Sequence, residues 1–246
     1  FAFLFVAFMR LAKHCGLLVR IGLFVPRIGH QVMDTEMYLG EREIGLHPKN
    51  ALDLWGILGS TPNAQVLRIW RRRMLVEPIP GFLRIANVVN HLWRGWEPHT
   101  THSQQNDRDI HGLLGRLQTH LTLTPPEERR GAAILREWGL PEDARWGCLM
   151  VRDKAFLPQL GYHEYRDADI ENYALAACTI AERGYYVFRM GAKVEKSFKP
   201  QRPSSTRRVI DYATNGIRSE FMDVYLGVHC AFTLTTSTGW DAIPLA

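Results

Sequence analysis

Four times between Gly147 and Gly239, a short apolar segment of the chain runs directly into a polar or glycine-containing break. At least two of the intervals between these segments carry helical patterns, so the region predicts alternating strands and helices that build a parallel sheet. Ligands bind such sheets outside the carboxyl ends of the strands, and all four breaks are expected at that edge. The segments with their breaks are 147–153, 185–191, 208–212 and 231–239.

The four breaks would bring together two arginines, two aspartates, a glycine turn and a loop rich in hydroxyl groups. A guanidinium group can bind phosphate oxygens bidentately, and the N–H groups at a helix start can bind a diphosphate together with nearby hydroxyls. The sequence therefore predicts a binding site for an anionic, phosphate-containing ligand. Its candidate residues are Arg152, Asp153, Arg189, Gly191, Asp211, Thr235, Thr236, Ser237, Thr238 and Gly239.

Structural roles stay open for several of these residues. Arg152 could instead pair with Asp153 or Asp169, and residues 235–239 could serve only to cap the helix that is expected to follow them. Asp211 could contact a nucleotide or order the neighbouring loops. The chain lacks the Gly-Lys-Ser or Gly-Lys-Thr sequence of a Walker loop, which disfavours an ATPase.

The N-terminal half of the chain repeats the alternation of strands and helices. We predict an apolar segment at 1–18, an α/β domain at 19–140 and a second α/β domain at 146–246. A helix that Thr124 caps and Gly139 ends would close the first domain. The predicted strands of this domain are 19–25 and 52–58, the other helices are 32–44, 63–73 and 79–93, and the helices of the second domain are 169–183 and 219–228.

A loop is predicted between the first strand and the first helix of the N-terminal domain. It contains Arg27, Gly29 and His30, and it would lie at the ligand edge of its own sheet. A histidine in such a loop can act as a general base toward a hydroxyl group, so His30 is the candidate catalytic residue. The alternative is an ordinary loop or capping histidine.

The overall charge is mildly basic. The formal net charge is +5 over 246 residues, and the pI is about 9.1. This balance suits a phosphate-bearing ligand or an anionic membrane surface and does not by itself indicate nucleic-acid binding, so no nucleic-acid partner is predicted. The four cysteines lie far apart, which favours free thiols in a reducing compartment over disulfides.

No metal site is predicted. The histidines are scattered and lack the spacing of zinc ligands. In metal-dependent sugar transferases an Asp-x-Asp triplet must end an apolar strand so that both carboxylates face the ion. In this chain Asp107 and Asp109 fall in a polar loop, and Asp167 and Asp169 precede a helix.

The first nine residues are continuously apolar, and basic residues follow them. A spanning helix needs about 20 such residues, and a signal peptide carries its basic residues before the apolar run. We predict a buried N-terminal helix; the alternative is a membrane-surface segment or part of a longer spanning one. The arginines at 68, 71, 72, 73 and 84 predict a basic surface that is either solvated or in contact with anionic lipid.

Over nearly its whole length the chain resembles a family of bacterial glycosyltransferases of the GT-B type that is linked to surface-polysaccharide synthesis. The resemblance is dense after Gly147 and thin between Pro62 and Arg145. The matching blocks are RIGH (27–30), EMYL (36–39), VRD (151–153), YHEYRDADI (162–170), GYYVFRMG (184–191), VIDYA (209–213), RSEFMDVYL (218–226) and TTSTG (235–239).

The resemblance implies two Rossmann-like domains that face each other across a cleft, with the second domain on the nucleotide-sugar side. Arg27 and Gly29 would lie on the acceptor side with His30. It further implies sugar transfer, without a metal or another cofactor, from a nucleotide-sugar donor to a glycan or lipid-linked acceptor. The expected location is cytoplasmic or peripheral to the inner membrane. Because the family continues beyond the position of Ala246, we expect a partial chain with a truncated second domain.

Two other function classes stay open. The same fold could carry another nucleotide-sugar enzyme, such as an epimerase or a pyruvyl-type transferase. A non-catalytic, membrane-associated binding protein could instead dock on anionic lipid through residues 1–9 and the arginine-bearing helices.

Overall fold

The computed structural model describes residues 1–103, 108–155, 161–199, 202 and 207–246. The fold is mixed α/β and contains a three-stranded and a four-stranded sheet, both parallel, so the predicted fold class is confirmed at this level. Contacts divide the chain into a first unit, Phe1–Thr122 together with Ala246, and a second unit, Leu123–Leu245. Among the described residues, no helix has both the length and the apolar character that crossing a bilayer requires.

The first unit is built on a parallel sheet with strand order β1-β2-β3. The apolar segments predicted at 19–25 and 52–58 do form strands, each beginning and ending one residue earlier than predicted. Its elements are α1 (Ala2–His14), β1 (Leu18–Phe24), α2 (Ile28–Glu43), β2 (Ala51–Ile57), α3 (Ala64–Arg71), β3 (Leu75–Val76), α4 (Phe82–His91) and a 3-10 turn (Glu97–His99).

Helices α1 and α4 pack side by side on one face of the first sheet. Their buried residues Val6, Met9 and Leu83 form one core with Val19 and Ile21 of β1. The other face of the sheet carries aromatic side chains, since side chains alternate along a strand. There Trp55 stacks on Phe24 and meets the ring of Tyr38 from α2.

A buried ion pair joins the two long strands of the first sheet. Arg20 of β1 lies opposite Asp53 of β2 and donates two hydrogen bonds to its carboxylate, at 2.5 and 2.8 Å. The hydroxyl of Tyr38 donates to the same carboxylate. Burial raises the pKa of Asp53, but these hydrogen bonds outweigh it and hold the pKa below its ordinary value. Both charges are therefore compensated inside the unit.

The second unit is built on a parallel sheet with strand order β6-β5-β4-β7. The four predicted strands are confirmed: β5, β6 and β7 lie within the predicted segments, and β4 begins one residue before its segment. Its elements are α5 (Pro125–Glu137), β4 (Trp146–Met150), α6 (Ala174–Glu182), β5 (Tyr186–Arg189), β6 (Val209–Ile210), α7 (Glu220–His229), β7 (Phe232–Thr235) and α8 (Ala242–Leu245), with 3-10 turns at Gly161–Arg166, Ile170–Tyr173 and Gly239–Asp241.

Helix α6 covers the second sheet with the apolar stripe that its sequence predicts. Ala174, Ala177 and Ala181 are buried against Leu149 of β4 and Val187 of β5. The predicted helix at 169–183 begins as a 3-10 turn, and the carboxylate of its capping residue accepts the N–H of Glu171. The helix predicted at 219–228 is α7, which begins after its capping residue Ser219.

Helix α5 belongs to the second unit, whereas the sequence placed the domain boundary after it. The predicted cap is present, since Thr124 and Glu127 form a capping box. A Cβ atom at Gly131 would lie 2.1 Å from the ring of Tyr225, so the glycine lets α5 approach α7 closely. This contact between two distant parts of the chain has no local sequence signal.

Candidate functional site

The carboxyl ends of β4, β5, β6 and β7 meet at one edge of the second sheet because all four strands are parallel. The polar breaks that follow these strands therefore lie at the edge where such sheets bind ligands. A cleft with a volume of about 250 Å³ opens beside the end of β4. It is lined by Val151, Asp153, Lys154, Asp167, Ala168, Asp169, Ile170, Glu195 and Lys196.

Arg152 connects three loops at this edge. Its backbone N–H donates to the hydroxyl of Thr236 at 2.8 Å, and its carbonyl oxygen accepts the N–H of Ala168 at 2.9 Å. Its side-chain Nε donates to Asp167 at 2.8 Å, so the ion-pair partner is Asp167 and not the predicted Asp153 or Asp169. The Arg152 side chain is mostly buried, with 14% of it exposed, and already holds a carboxylate on the cleft wall.

Asp153 orders the loops around the cleft through both of its carboxylate oxygens. One oxygen accepts the N–H of Ala155 at 3.0 Å, and the other accepts the N–H of Glu195 at 2.9 Å. The second bond ties the loop after β4 to the segment after β5. Because Glu195 and Lys196 also line the cleft, Asp153 fixes the position of two of its walls.

Arg189 and Asp211 form an interior pair and do not line the cleft. Arg189, at the end of β5, has no exposed surface, and its Nη1 donates to Asp211 at 3.2 Å. The other carboxylate oxygen of Asp211 accepts the N–H of Phe198 at 2.7 Å and the hydroxyl proton of Thr214. Asp211 therefore has the loop-ordering role that the sequence left open.

Gly191 holds a backbone conformation that side chains disfavour. Its φ is +153°, and a Cβ atom at this position would lie 2.5 Å from Cγ1 of Val194. Glycine therefore permits the turn by which the chain leaves β5. This turn leads into the segment that carries Glu195 and Lys196.

The hydroxyl-rich loop after β7 is bonded to its own helix start. The Thr235 hydroxyl donates to the Asp241 carboxylate at 2.9 Å, and the backbone N–H of Thr238 donates to the same carboxylate at 2.6 Å. Thr238 is the N-cap residue of the 3-10 turn Gly239–Asp241, and it forms a capping box with Asp241. Burial raises the pKa of Asp241, although the N–H of Thr238 lowers it. The Asp241 carboxylate therefore occupies donors of Thr235 and Thr238, two of the residues that the sequence assigned to a diphosphate.

Ser237 has a backbone conformation that is uncommon for a residue with a side chain, with φ of +64°. Its carbonyl oxygen accepts a hydrogen bond from Arg166 at 3.3 Å. The loop 235–239 is thus connected to the 3-10 turn Gly161–Arg166 as well as to Arg152.

Half of the six charged side chains that line the cleft are in ion pairs. Asp167 is paired with Arg152, and Lys196 lies 2.7 Å from Asp169. This hydrogen bond raises the pKa of Lys196 and lowers that of Asp169. Lys154 has no ion-pair partner among the described residues, so it offers a cation at the mouth of the cleft.

The candidate residues of the first unit lie at a helix start, and the prediction of a loop there was wrong. Ile28, Gly29 and His30 form the first turn of α2, and Arg27 is its N-cap residue. The Nδ1 atom of His30 lies 3.2 Å from a carboxylate oxygen of Asp34, one helical turn later. His30 stays partly exposed, with 40% of its side chain accessible, so a carboxylate-oriented imidazole faces solvent.

The described members of the two Asp-x-Asp triplets bind local groups of the chain: Asp169 caps a 3-10 turn, and Asp167 holds Arg152. Asp109 accepts the backbone N–H groups of Leu113 and Leu114, at 2.5 and 3.0 Å, while Asp107 lies outside the described residues. In the described ranges, no three His, Cys, Asp or Glu side chains come together in a group that could hold a metal ion.

Several functional candidates were missed from the sequence. Lys154, Glu195 and Lys196 line the cleft, yet they stand in polar stretches without a motif. Asp167 was considered only as part of an Asp-x-Asp triplet and of a helix cap. One signal was available for Lys154: it directly follows Arg152 and Asp153, the polar residues after β4 that were predicted to bind the ligand.

Comparison with protein-family models, with curated protein sequences and with solved structures finds no match to this chain.

Proposed function

We propose that this chain is a metal-independent glycosyltransferase that moves a sugar from a nucleotide-activated donor to a glycan or lipid-linked acceptor. One observation carries the proposal: a cleft at the carboxyl edge of the second sheet combines carboxylates with a lysine that has no partner in the described chain. Carboxylates accept hydrogen bonds from sugar and ribose hydroxyls, and an ammonium group attracts a diphosphate.

The cleft would hold part of the donor. Its volume of about 250 Å³ is slightly below that of common small-molecule sites, which begin at about 300 Å³. We assign the hydroxyl-bearing part of the donor to Asp153, Asp169 and Glu195, and the diphosphate to Lys154 and Lys196. Lys196 would have to exchange its present partner, an exposed pair that costs little to break.

The buried and loop-bonded candidates would act as positioning residues. The Arg152–Asp167 pair supports one wall of the cleft, and the Arg189–Asp211 pair orders the segment that forms another. Positioning of this kind matters because catalytic and binding groups must be held in place by the residues around them.

His30 is the proposed general base on the acceptor side of a GT-B arrangement. It would take the proton of the acceptor hydroxyl while that oxygen bonds to the anomeric carbon and the bond between this carbon and the diphosphate breaks. The nucleoside diphosphate leaves, and the lysines of the cleft would stabilise its developing charge. The carboxylate of Asp34 beside Nδ1 can orient the ring and stabilise its protonated form.

An activity assay tests the proposal. The chain is incubated with a panel of nucleotide sugars and a mixture of glycan and lipid-linked acceptors, and released nucleoside diphosphate is measured. We expect release that depends on acceptor. Isomerised donor without release would instead show an epimerase, and the absence of both products with every donor would contradict the proposal.

A further inference from the structure

The outer surface of the first unit carries an apolar face that two helices share. Helices α1 and α4 lie side by side: Phe5 meets the ring of Phe82 at 5.4 Å, and Arg10 donates hydrogen bonds to Asn90. The earlier residue of α1 contacts the earlier residue of α4, and the later residue contacts the later one, so the helices run parallel. Their inner sides form the core described above, and their outer sides lie next to each other on the surface.

The outer sides are covered with large apolar side chains. On α1, Leu4 is 73% exposed and Leu11 is 67% exposed, and Ile85 on α4 is 59% exposed. Contiguous apolar patches of this kind mark interaction sites, since a soluble surface rarely carries them without a partner. We call the following residues the α1–α4 face: Phe3, Leu4, Phe8, Leu11, Ile85, Val88, Leu92 and Trp93.

The chain segments that form this face contain basic residues and no acidic ones. No Asp or Glu occurs in residues 1–17 or 78–96. The exposed Glu97 follows directly and lies close enough to Arg10 to compensate part of its charge. The preceding Glu77 is buried, and its carboxylate accepts backbone N–H groups at the start of α4. The basic residues and histidines of the two segments are Arg10, Lys13, His14, Arg84, His91 and Arg94.

We propose that the α1–α4 face docks on the surface of an anionic lipid bilayer, with both helices lying in the plane of the interface. Amphipathic helices that bind this way place large apolar residues about 5–10 Å deep and keep lysines and arginines at the headgroups. Each cation near an anionic membrane surface adds to the attraction. The tryptophan Trp93 at the end of α4 suits the interface as well.

A second copy of the chain fits this face less well. A symmetric dimer pairs the same patch with itself. Such an interface would bring the cations of both copies together, and Glu97 beside Arg10 would compensate only part of them. Anionic lipid supplies the missing opposite charge. Docking of this kind does not require a helix that crosses the bilayer. The apolar side chains of the face come from two helices that are packed on a sheet.

Vesicle sedimentation of the 246-residue chain tests the proposal. The vesicles contain phosphatidylcholine either alone or with one third phosphatidylglycerol. We expect binding to the anionic vesicles, loss of at least tenfold in affinity for Phe8→Glu and for Ile85→Glu, and unchanged binding for the control Leu175→Glu. Leu175 is 62% exposed on α6 of the second unit, so the control places the same charge at an equally exposed apolar site.

A second pair of variants tests the electrostatic part. Arg84→Gln should weaken binding to the anionic vesicles several-fold, whereas Arg129→Gln on α5 should leave it unchanged; both arginines are exposed. Raising the salt concentration should weaken wild-type binding, since surface charges are screened. Melting temperatures of all variants, together with their gel-filtration profiles, show whether they are folded and monomeric.

Three results would overturn the proposal. These are no binding to anionic vesicles, equal binding by Phe8→Glu and Leu175→Glu, or a wild-type dimer that Phe8→Glu converts to a monomer. Nucleotide binding by Phe8→Glu should match that of the wild type. A failure of membrane docking is therefore distinguishable from a failure of the proposed transferase activity.

Discussion

Arg152 donates its backbone N–H to the hydroxyl of Thr236 at 2.8 Å, which joins the end of β4 to the loop after β7. These two residues are 84 positions apart in the chain. Their hydrogen bond holds together two of the four loops at the carboxyl edge of the second sheet. The cleft beside β4 depends on the position of these loops.

Thr236→Val should therefore loosen this edge. Valine keeps the shape of threonine but leaves the Arg152 N–H without its acceptor, at a cost of about 1–2 kcal/mol in the free energy of unfolding. Thr236→Ser retains the hydroxyl and should recover most of the loss. Urea denaturation measures both values, and equal destabilisation by the two variants would show that the hydrogen bond does not contribute.

Glu77 should be a principal stabilising residue of the first unit. Its carboxylate accepts the backbone N–H groups of Ile57, Gly81 and Leu83, which joins the end of β2 to the start of α4. Glu77→Ala leaves these donors without partners and should cost about 2–4 kcal/mol of stability. Glu77→Gln, which keeps one acceptor oxygen, should cost less.

The matched control for this prediction is Glu142→Ala, because the side chain of Glu142 is 85% exposed. Its melting temperature should equal that of the wild type. If Glu77→Ala melted at the same temperature as this control, the capping role would be wrong.

Asp223 should give the second unit a distinctive pH dependence. Burial raises the pKa of this carboxyl group to about 6, against the opposing effect of Arg218, which lies 2.5 Å away. The folded state then binds a proton that the unfolded state has released, so this group's contribution falls as pH rises from about 4 to 6. A shift of this size corresponds to roughly 3 kcal/mol.

Asp223→Asn tests the assignment, since it removes the titrating group and keeps the shape of the side chain. The difference in unfolding free energy between wild type and variant should change across pH 4–6.5 and stay constant above it. A difference that is independent of pH would contradict the raised pKa. The carboxyl carbon of Asp223 should also titrate near pH 6 by NMR.

His30→Gln should lower kcat in the nucleoside diphosphate release assay by about 10²-fold or more, with KM little changed, because a general base acts in the transition state. The control is His111→Gln, an exposed histidine of the first unit. An unchanged kcat for His30→Gln would remove His30 from the catalytic step.

The strands and most helix starts could be predicted because their signals are local. The sequences of buried parallel strands are nearly continuous apolar runs, as in β4 and β5. Thr124 and Asp169 were predicted as caps and Ser219 as the first residue of a helix, and each accepts a backbone N–H at its helix start. The start of α2 was missed because its N-cap residue Arg27 makes no side-chain capping bond.

The contacts at the candidate site could be predicted less well, since they join distant parts of the chain. The sequence placed Arg189 and Asp211 at the correct edge, but only the packing shows that Arg189 is buried. The hydrogen bonds of Thr235 and Thr238 to Asp241 depend on a turn geometry that composition does not reveal. The sequence offered Asp153 and Asp169 as partners of Arg152, and no local signal pointed to Asp167.

Binding calorimetry with a panel of nucleoside diphosphates tests the central claim most directly. We predict that one or more of them binds and that Lys154→Met weakens this binding about tenfold or more. Lys49→Met, which changes an exposed lysine of the first unit, should leave the binding unchanged. No binding by the wild type, or equal affinities for Lys154→Met and Lys49→Met, would contradict a nucleotide-sugar site in the cleft beside β4.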